Sequence, residues 1–235
     1  MRLTLLFFIS LLFFSTVETL AQDSTEVVVD SVKVRDNRYG LRVGIDLSKP
    51  MRTALEDGYT GFEINADFRV TRRIYAAVEF GNEEKERFEE NLNSIARGSY
   101  FKIGADFNAY DNWPGLNNMI FAGLRYGYAT FEQELLSYGI YTTDQTFEEF
   151  QLREDPRTFE GLSASWVEVI VGVKAELFNN LFLGLNLQLK RRLSQTTPDN
   201  FDNLYIPGFN RTYDESNFGV GYGYTLSYLI PIFKR

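Results

Sequence analysis

Over long parts of this chain, oily residues alternate one by one with small or polar ones. In the last stretch Phe218, Val220, Tyr222, Tyr224, Leu226, Tyr228, Ile230 and Ile232 share one face, and Gly219, Gly221, Gly223, Thr225 and Ser227 the other. A period of two marks a strand whose faces meet different surroundings. The same alternation predicts seven earlier strands, over 39–47, 60–70, 74–81, 99–109, 119–129, 165–177 and 181–191. The links after the second, fourth and sixth strands are short. Those after the first, third, fifth and seventh are long. Short turns on one rim and long loops on the other belong to an up-and-down membrane barrel. A tilted strand crosses the hydrocarbon with about 9–11 residues, and closure leaves no backbone edge unpaired in lipid. The expected fold is all-β: an eight-stranded antiparallel up-and-down transmembrane β-barrel.

Charge assigns the faces. The faces opposite the oily ones carry Arg42, Arg69, Lys102, Arg125, Lys174 and Lys190, together with Asp46, Glu63, Asp67, Glu79, Asp106, Glu168 and Glu176. The oily faces hold no charged residue before Arg191. In a membrane barrel the charged set lines the lumen, where near-balance of sign allows ion pairing away from water. The expected lumen network comprises Arg42, Glu63, Asp67, Glu79, Lys102, Asp106, Arg125, Glu168, Lys174 and Lys190. Alternation alone does not tell inside from outside, so a soluble, secreted lipocalin-like barrel with an apolar interior is the alternative.

Composition narrows the chemistry. The 235 residues include 21 Phe and 14 Tyr, an aromatic load suited to strands and membrane interfaces. A formal charge of −8 offers no footprint for nucleic acid. With neither His nor Cys, a Ser-His-Asp triad, a disulfide framework, a thiolate metal site and a lipid-modified N-terminal Cys are all ruled out. No catalytic residue, metal or cofactor is expected, and the inward carboxylates are explained by structural pairing.

The N-terminus reads as an address. Arg2 precedes an apolar run too short to span a bilayer as a helix, followed by Thr19-Leu20-Ala21. Residues 1–21 are expected to be a signal peptide cleaved after Ala21, 22–38 a short periplasmic segment, and 39–235 the barrel.

Two further expectations concern the lumen and the loops. Closure would make the last strand a neighbour of the first, bringing Gly219, Gly221 and Gly223 beside Gly40 and Gly44 as a bare wall. Either side chains from the far wall fill that space (Tyr100, Lys102, Phe121 and Arg125 are the candidates), or a narrow channel or small-molecule path runs beside the glycines. The long links are acidic: five acidic against three basic residues in 82–97, eight against two in 131–163, and four against one in 194–216. Phe88, Leu92 and Ile95 recur at helical spacing between Asn82 and Gly98, which predicts a short amphipathic helix over the mouth. The link 131–163 is the longest and mixes carboxylates with aromatics. It is the expected site for a protein partner, or for divalent cations bridging to lipid head groups.

The ending Tyr228-Leu229-Ile230-Pro231-Ile232-Phe233-Lys234-Arg235 resembles the C-terminal signal by which outer-membrane barrels are recognised for insertion, with Lys234 and Arg235 following the usual final aromatic. Taken with Arg38-Tyr39-Gly40-Leu41-Arg42-Val43-Gly44, the chain resembles an uncharacterised family of small Gram-negative outer-membrane barrels. The resemblance implies an outer-membrane location, contact with its lipid, and the barrel-assembly machinery as a partner reading Tyr228, Ile230, Ile232 and Phe233. It implies no catalytic residue.

Overall fold

The structure, a computed structural model, describes residues 38–89, 91–110, 117–139, 152–213 and 216–234. The expected signal peptide, the segment 22–37 and the stretch 140–151 lie outside the described residues. In chain order the elements are β1 (Arg38–Asp46), α1 (Ser48–Leu55), β2 (Tyr59–Arg69), β3 (Ile74–Glu89), β4 (Leu92–Asn108), β5 (Met119–Gly139), β6 (Leu152–Phe178), β7 (Leu181–Gln195), the two-residue strands β8 (Tyr205–Ile206) and β9 (Asn210–Arg211), and β10 (Phe218–Lys234). Strands β1–β7 and β10 close into one antiparallel barrel in which each strand pairs with its neighbours in the chain, and β1 and β10 form the seam.

Alternation sets the faces. Along β4, Phe101, Ile103 and Phe107 are exposed while Tyr100, Lys102, Asp106 and Asn108 are buried. Phe62, Ile64, Leu124, Val171, Leu187, Val220, Tyr222 and Ile230 are likewise turned outward. Such a belt is far larger than a soluble surface tolerates, and it matches the apolar band of a lipid-facing barrel. The soluble lipocalin-like alternative therefore falls, because the apolar face is outside and the charged face inside. Phe80, Phe101 and Tyr128 form an outward ladder across β3, β4 and β5, with ring centroids 6.5 and 5.9 Å apart. One step further along each strand the outward residues turn polar, and Asn82 donates to Ser99 Oγ at 3.1 Å. The belt ends on that aromatic row, where amphipathic rings favour the interface.

At one end the connections are tight, and Asn180 takes a left-handed φ of 66° between β6 and β7. At the other end the strands outrun the belt. The helix expected over 82–98 is not formed: β3 continues to Glu89 and pairs with β4 as far as Glu89↔Leu92. Beyond the lipid belt both faces of this hairpin carry polar residues, so charges on either face obscured its period of two, and the spacing of Phe88, Leu92 and Ile95 was coincidental. The link 131–163 is also largely strand, since β5 and β6 stay paired up to Gly139↔Leu152. From Tyr128 to Gly139 the β5 strand runs roughly 35 Å past the aromatic row, at about 3.3 Å per residue. Strands β3–β6 thus form a four-stranded platform beyond the barrel. The first long link contains α1, which is too short to stand alone.

Candidate functional site

The lumen is filled by charge. Strand parity directs each charged residue inward, and register brings opposite signs level, as in the pairs Arg42↔Asp67, Glu79↔Lys102, Arg125↔Glu168 and Glu168↔Lys190. Starting at the tight-turn end, Arg42 donates to Asp67 at 2.7 and 3.0 Å. Lys174 reaches Asp67 at 2.7 Å and Asp106 at 3.8 Å. Arg125 joins Asp106 at 2.8 Å to Glu79 at 3.2 Å. Lys102 lies at the centre, 2.8 Å from Glu79, 3.3 Å from Glu63 and 3.6 Å from Glu168. Lys190 is 4.0 Å from Glu168 and donates to the Gly208 carbonyl at 2.6 Å. All ten residues expected in the lumen network stand in this chain of contacts. Buried ion pairs contribute more to a fixed interior arrangement than to net stability, and in this network Asp106 and the Glu168 Oε1 atom are held by charge contact without a hydrogen bond. A cavity of about 30 Å³ remains among Glu63, Asp67, Glu79, Asp106, Arg125 and Lys174, room for about one water.

Above this network the mouth is sealed by two elements that the sequence pattern did not reveal. Helix α1 points Lys49 into the barrel to pair with Glu83, and the β8–β9 hairpin follows it in. Glu83 accepts from the Tyr205 hydroxyl at 2.6 Å and from the Gly208 N–H at 3.0 Å. The Tyr100 hydroxyl donates to Glu63 at 2.6 Å and lies 3.4 Å from Glu83, linking the clasp to the network below. Burial opposes charge on Lys49, yet Glu83 and Glu63 outweigh it and raise its pKa above the ordinary value. Burial likewise pushes the Tyr205 hydroxyl well up, so it remains a donor. Around the clasp lies an apolar plug of Tyr100, Phe131, Leu162, Trp166, Ile206 and Phe209. Trp166 meets Phe209 edge-on at 6.0 Å and donates to Glu168 at 3.0 Å. Gly208, with a φ of 77°, lets the hairpin turn close over the Tyr100 ring. Lys49, Glu83 and the 205–209 segment were not expected in the lumen. Their only signal was that Glu83 keeps the inward parity of Glu79.

The bare glycine wall is corrected. Strand β1 ends level with Thr225, so Gly219, Gly221 and Gly223 lie beyond it and do not adjoin Gly40 and Gly44. A Cβ on Gly221 would lie 2.7 Å from Gln188 Oε1, one on Gly223 2.7 Å from Asn186 Nδ2, and one on Gly219 3.1 Å from Phe209. Gly40 and Gly44 are closed off by the Leu229 side chain and by Ser227. The fillers are these near neighbours rather than residues from the far wall. Among the described residues no cleft runs beside these glycines. Of the C-terminal set, Tyr228, Ile230 and Ile232 face outward, and Phe233 pairs with Tyr39 across the seam.

Comparison with known proteins adds a family and a likeness. The family described as "Domain of unknown function (DUF6048)" matches residues 4–235. No curated protein matches the chain. Among solved structures the chain is similar to Ail, the attachment invasion locus protein of Yersinia pestis, with 12% identity and a TM-score of 0.37 over 83% of this chain and 98% of that one.

Proposed function

We propose a function for a chain that belongs to the DUF6048 family: it is an outer-membrane barrel with a closed lumen, whose projecting strands β3–β6 act as an interaction platform at the cell surface. The observation that carries this reading is the contrast between the two ends. The lumen is packed with paired charge and plugged by Phe209 and Trp166, whereas the platform runs well beyond the lipid belt. On this reading the tight turns and both chain ends face the periplasm and residues 1–21 are removed after export. The Tyr228–Phe233 ending is what the assembly machinery reads, and the outward belt contacts outer-membrane lipid. The partner site moves from a loop at 131–163 to paired strands around the stretch 140–151. No reaction is assigned to the protein. A narrow channel has little support, because transport would require breaking several buried ion pairs at once.

The test inserts an epitope after Gly139 and combines two measurements. Antibody should label intact cells, and the detergent-extracted protein should migrate differently before and after boiling. Labelling only after permeabilisation, or the absence of a heat shift, would overturn the reading.

A further inference from the structure

Beside the sealed lumen, a cleft of about 680 Å³ opens between the end of α1, the β3–β4 hairpin and the β8–β9 segment. That volume is within the usual range for small ligand sites. It lies on the mouth side of the hairpin, opposite the face that continues the lipid belt, so its occupant would arrive from water. One boundary is an unfinished sheet edge. Strand β2 starts at Tyr59, level with Lys85, and the Glu86 N–H still reaches the Gly58 carbonyl at 2.7 Å. Beyond that point β3 runs on to Glu89, paired with β4 alone among the described residues. Strand geometry turns the N–H and C=O of Phe88 the same way as those of Glu86, into the space that β2 has vacated.

The side chains around this edge are rich in unused donors. Glu56 is saturated, with Arg52 on one oxygen and Lys85 on the other, both at 2.8 Å. Arg87 spends its Nε on Glu89 at 2.6 Å, which leaves its terminal nitrogens. Arg211 lies over the Tyr213 ring at 5.3 Å and forms no ion pair among the described residues. Four carboxylates line the cleft: Glu56 is taken, Glu89 holds Arg87 and feels the charge of Arg211, Glu86 projects from the outward row of β3 with Phe88, and Asp57 faces the remaining donors. Tyr205, Leu204 and Ala96 supply an apolar wall, and Phe88 stands exposed at the lip.

We propose that this cleft binds an acidic peptide of a partner protein in extended form, added as a strand to the free edge of β3, with its carboxylates on Arg87 and Arg211. Strand addition takes its affinity from backbone hydrogen bonds and its selectivity from alternate side chains. A phosphate or a simple anion would satisfy the guanidinium groups and leave the backbone edge unanswered. The inference rests on the outward platform reading and names the chemistry of its partner.

The test uses a fluorescein-labelled hexapeptide of alternating glutamate and valine, titrated by fluorescence anisotropy against the full barrel in detergent micelles. Saturable binding is expected, with at least a tenfold loss in the Arg87→Ser and Arg211→Ser variants. A lysine–valine peptide should not bind, and backbone N-methylation at alternate residues should weaken binding at least tenfold. Equal binding of the N-methylated peptide, equal displacement by inorganic phosphate, or no saturation at all would overturn the proposal. Each preparation is checked for its heat shift, so failed binding to a folded barrel refutes this site alone, whereas a missing shift strikes the barrel reading first.

Discussion

Glu83→Gln tests how the mouth is held shut. Glu83 is fully buried, pairs with Lys49, and accepts from the Tyr205 hydroxyl and the Gly208 N–H. Glutamine keeps the shape but removes the charge and places an NH2 group among donors. Lys49, itself buried, would lose the counter-ion it touches. Breaking a buried pair from one side costs about 3–5 kcal/mol, chiefly because the surviving charge stays buried. Trp166 packs on Phe209 beside the clasp and reports its state. With Trp113→Phe as background, urea unfolding in micelles followed by Trp166 fluorescence should give a lowered midpoint at similar slope. The double variant Lys49→Met/Glu83→Gln should cost less than the two single changes together, by at least about 1 kcal/mol. A Glu83→Gln protein within about 1 kcal/mol of its parent, with additive single changes, would refute the clasp.

Other positions separate the lumen from the belt. Arg125→Met removes the cation that Glu79 and Asp106 share, leaving Lys102 on one and Lys174 at 3.8 Å from the other, and unfolding should register a loss of about 3 kcal/mol, the low end for a broken buried pair. Leu124→Arg adds the same charge to the lipid side of that strand, where it should cost about 2–4 kcal/mol in refolding into vesicles. Gly223→Val drives a side chain into Asn186 and should cost about 1–3 kcal/mol by the same measurement. The Arg52 hydrogen bond, then that of Lys85, holds the Glu56 carboxyl below its ordinary value of 4.5 against the effect of burial. A depressed carboxyl stabilises above its ordinary range and loses that contribution as pH falls through the lowered value. Amide exchange at Glu86, which bonds to Gly58, should therefore quicken below pH 4.5 relative to a Glu56→Gln control that shows no such step.

The lumen set was readable because strand parity is a strict rule, and a buried charge on one face and a Leu or Phe on the other leave little ambiguity about which solvent each meets. The same rule weakened where β3–β6 leave the lipid. Over Glu84–Glu89, beyond the lipid, polar residues occupy either parity, and a helical spacing of three apolar residues could outweigh a strand. Asp46 shows the local side of the problem. It lies at the end of β1, and its carboxylate accepts from the Ser48 and Tyr224 amides at 2.8 and 3.1 Å. It thereby turns the chain into α1, and its inward parity alone could not indicate that role.

The sequence by itself determined the strand count, the lipid-facing side, the charged lumen and the closure of β1 on β10, because these follow from a two-residue period and from the cost of unpaired backbone in hydrocarbon. Tertiary structure decided how far the strands climb and what seals the mouth. The length of a paired strand depends on its neighbour's register, and the plug depends on Lys49, Glu83 and Tyr205 meeting across as many as 122 positions of chain. It also decided where the glycines fall. Stagger at the seam carries Gly219, Gly221 and Gly223 past the end of β1, Gly219 under Phe209 and the other two under side chains of β7, so the space that looked open along the sequence is the space those side chains require.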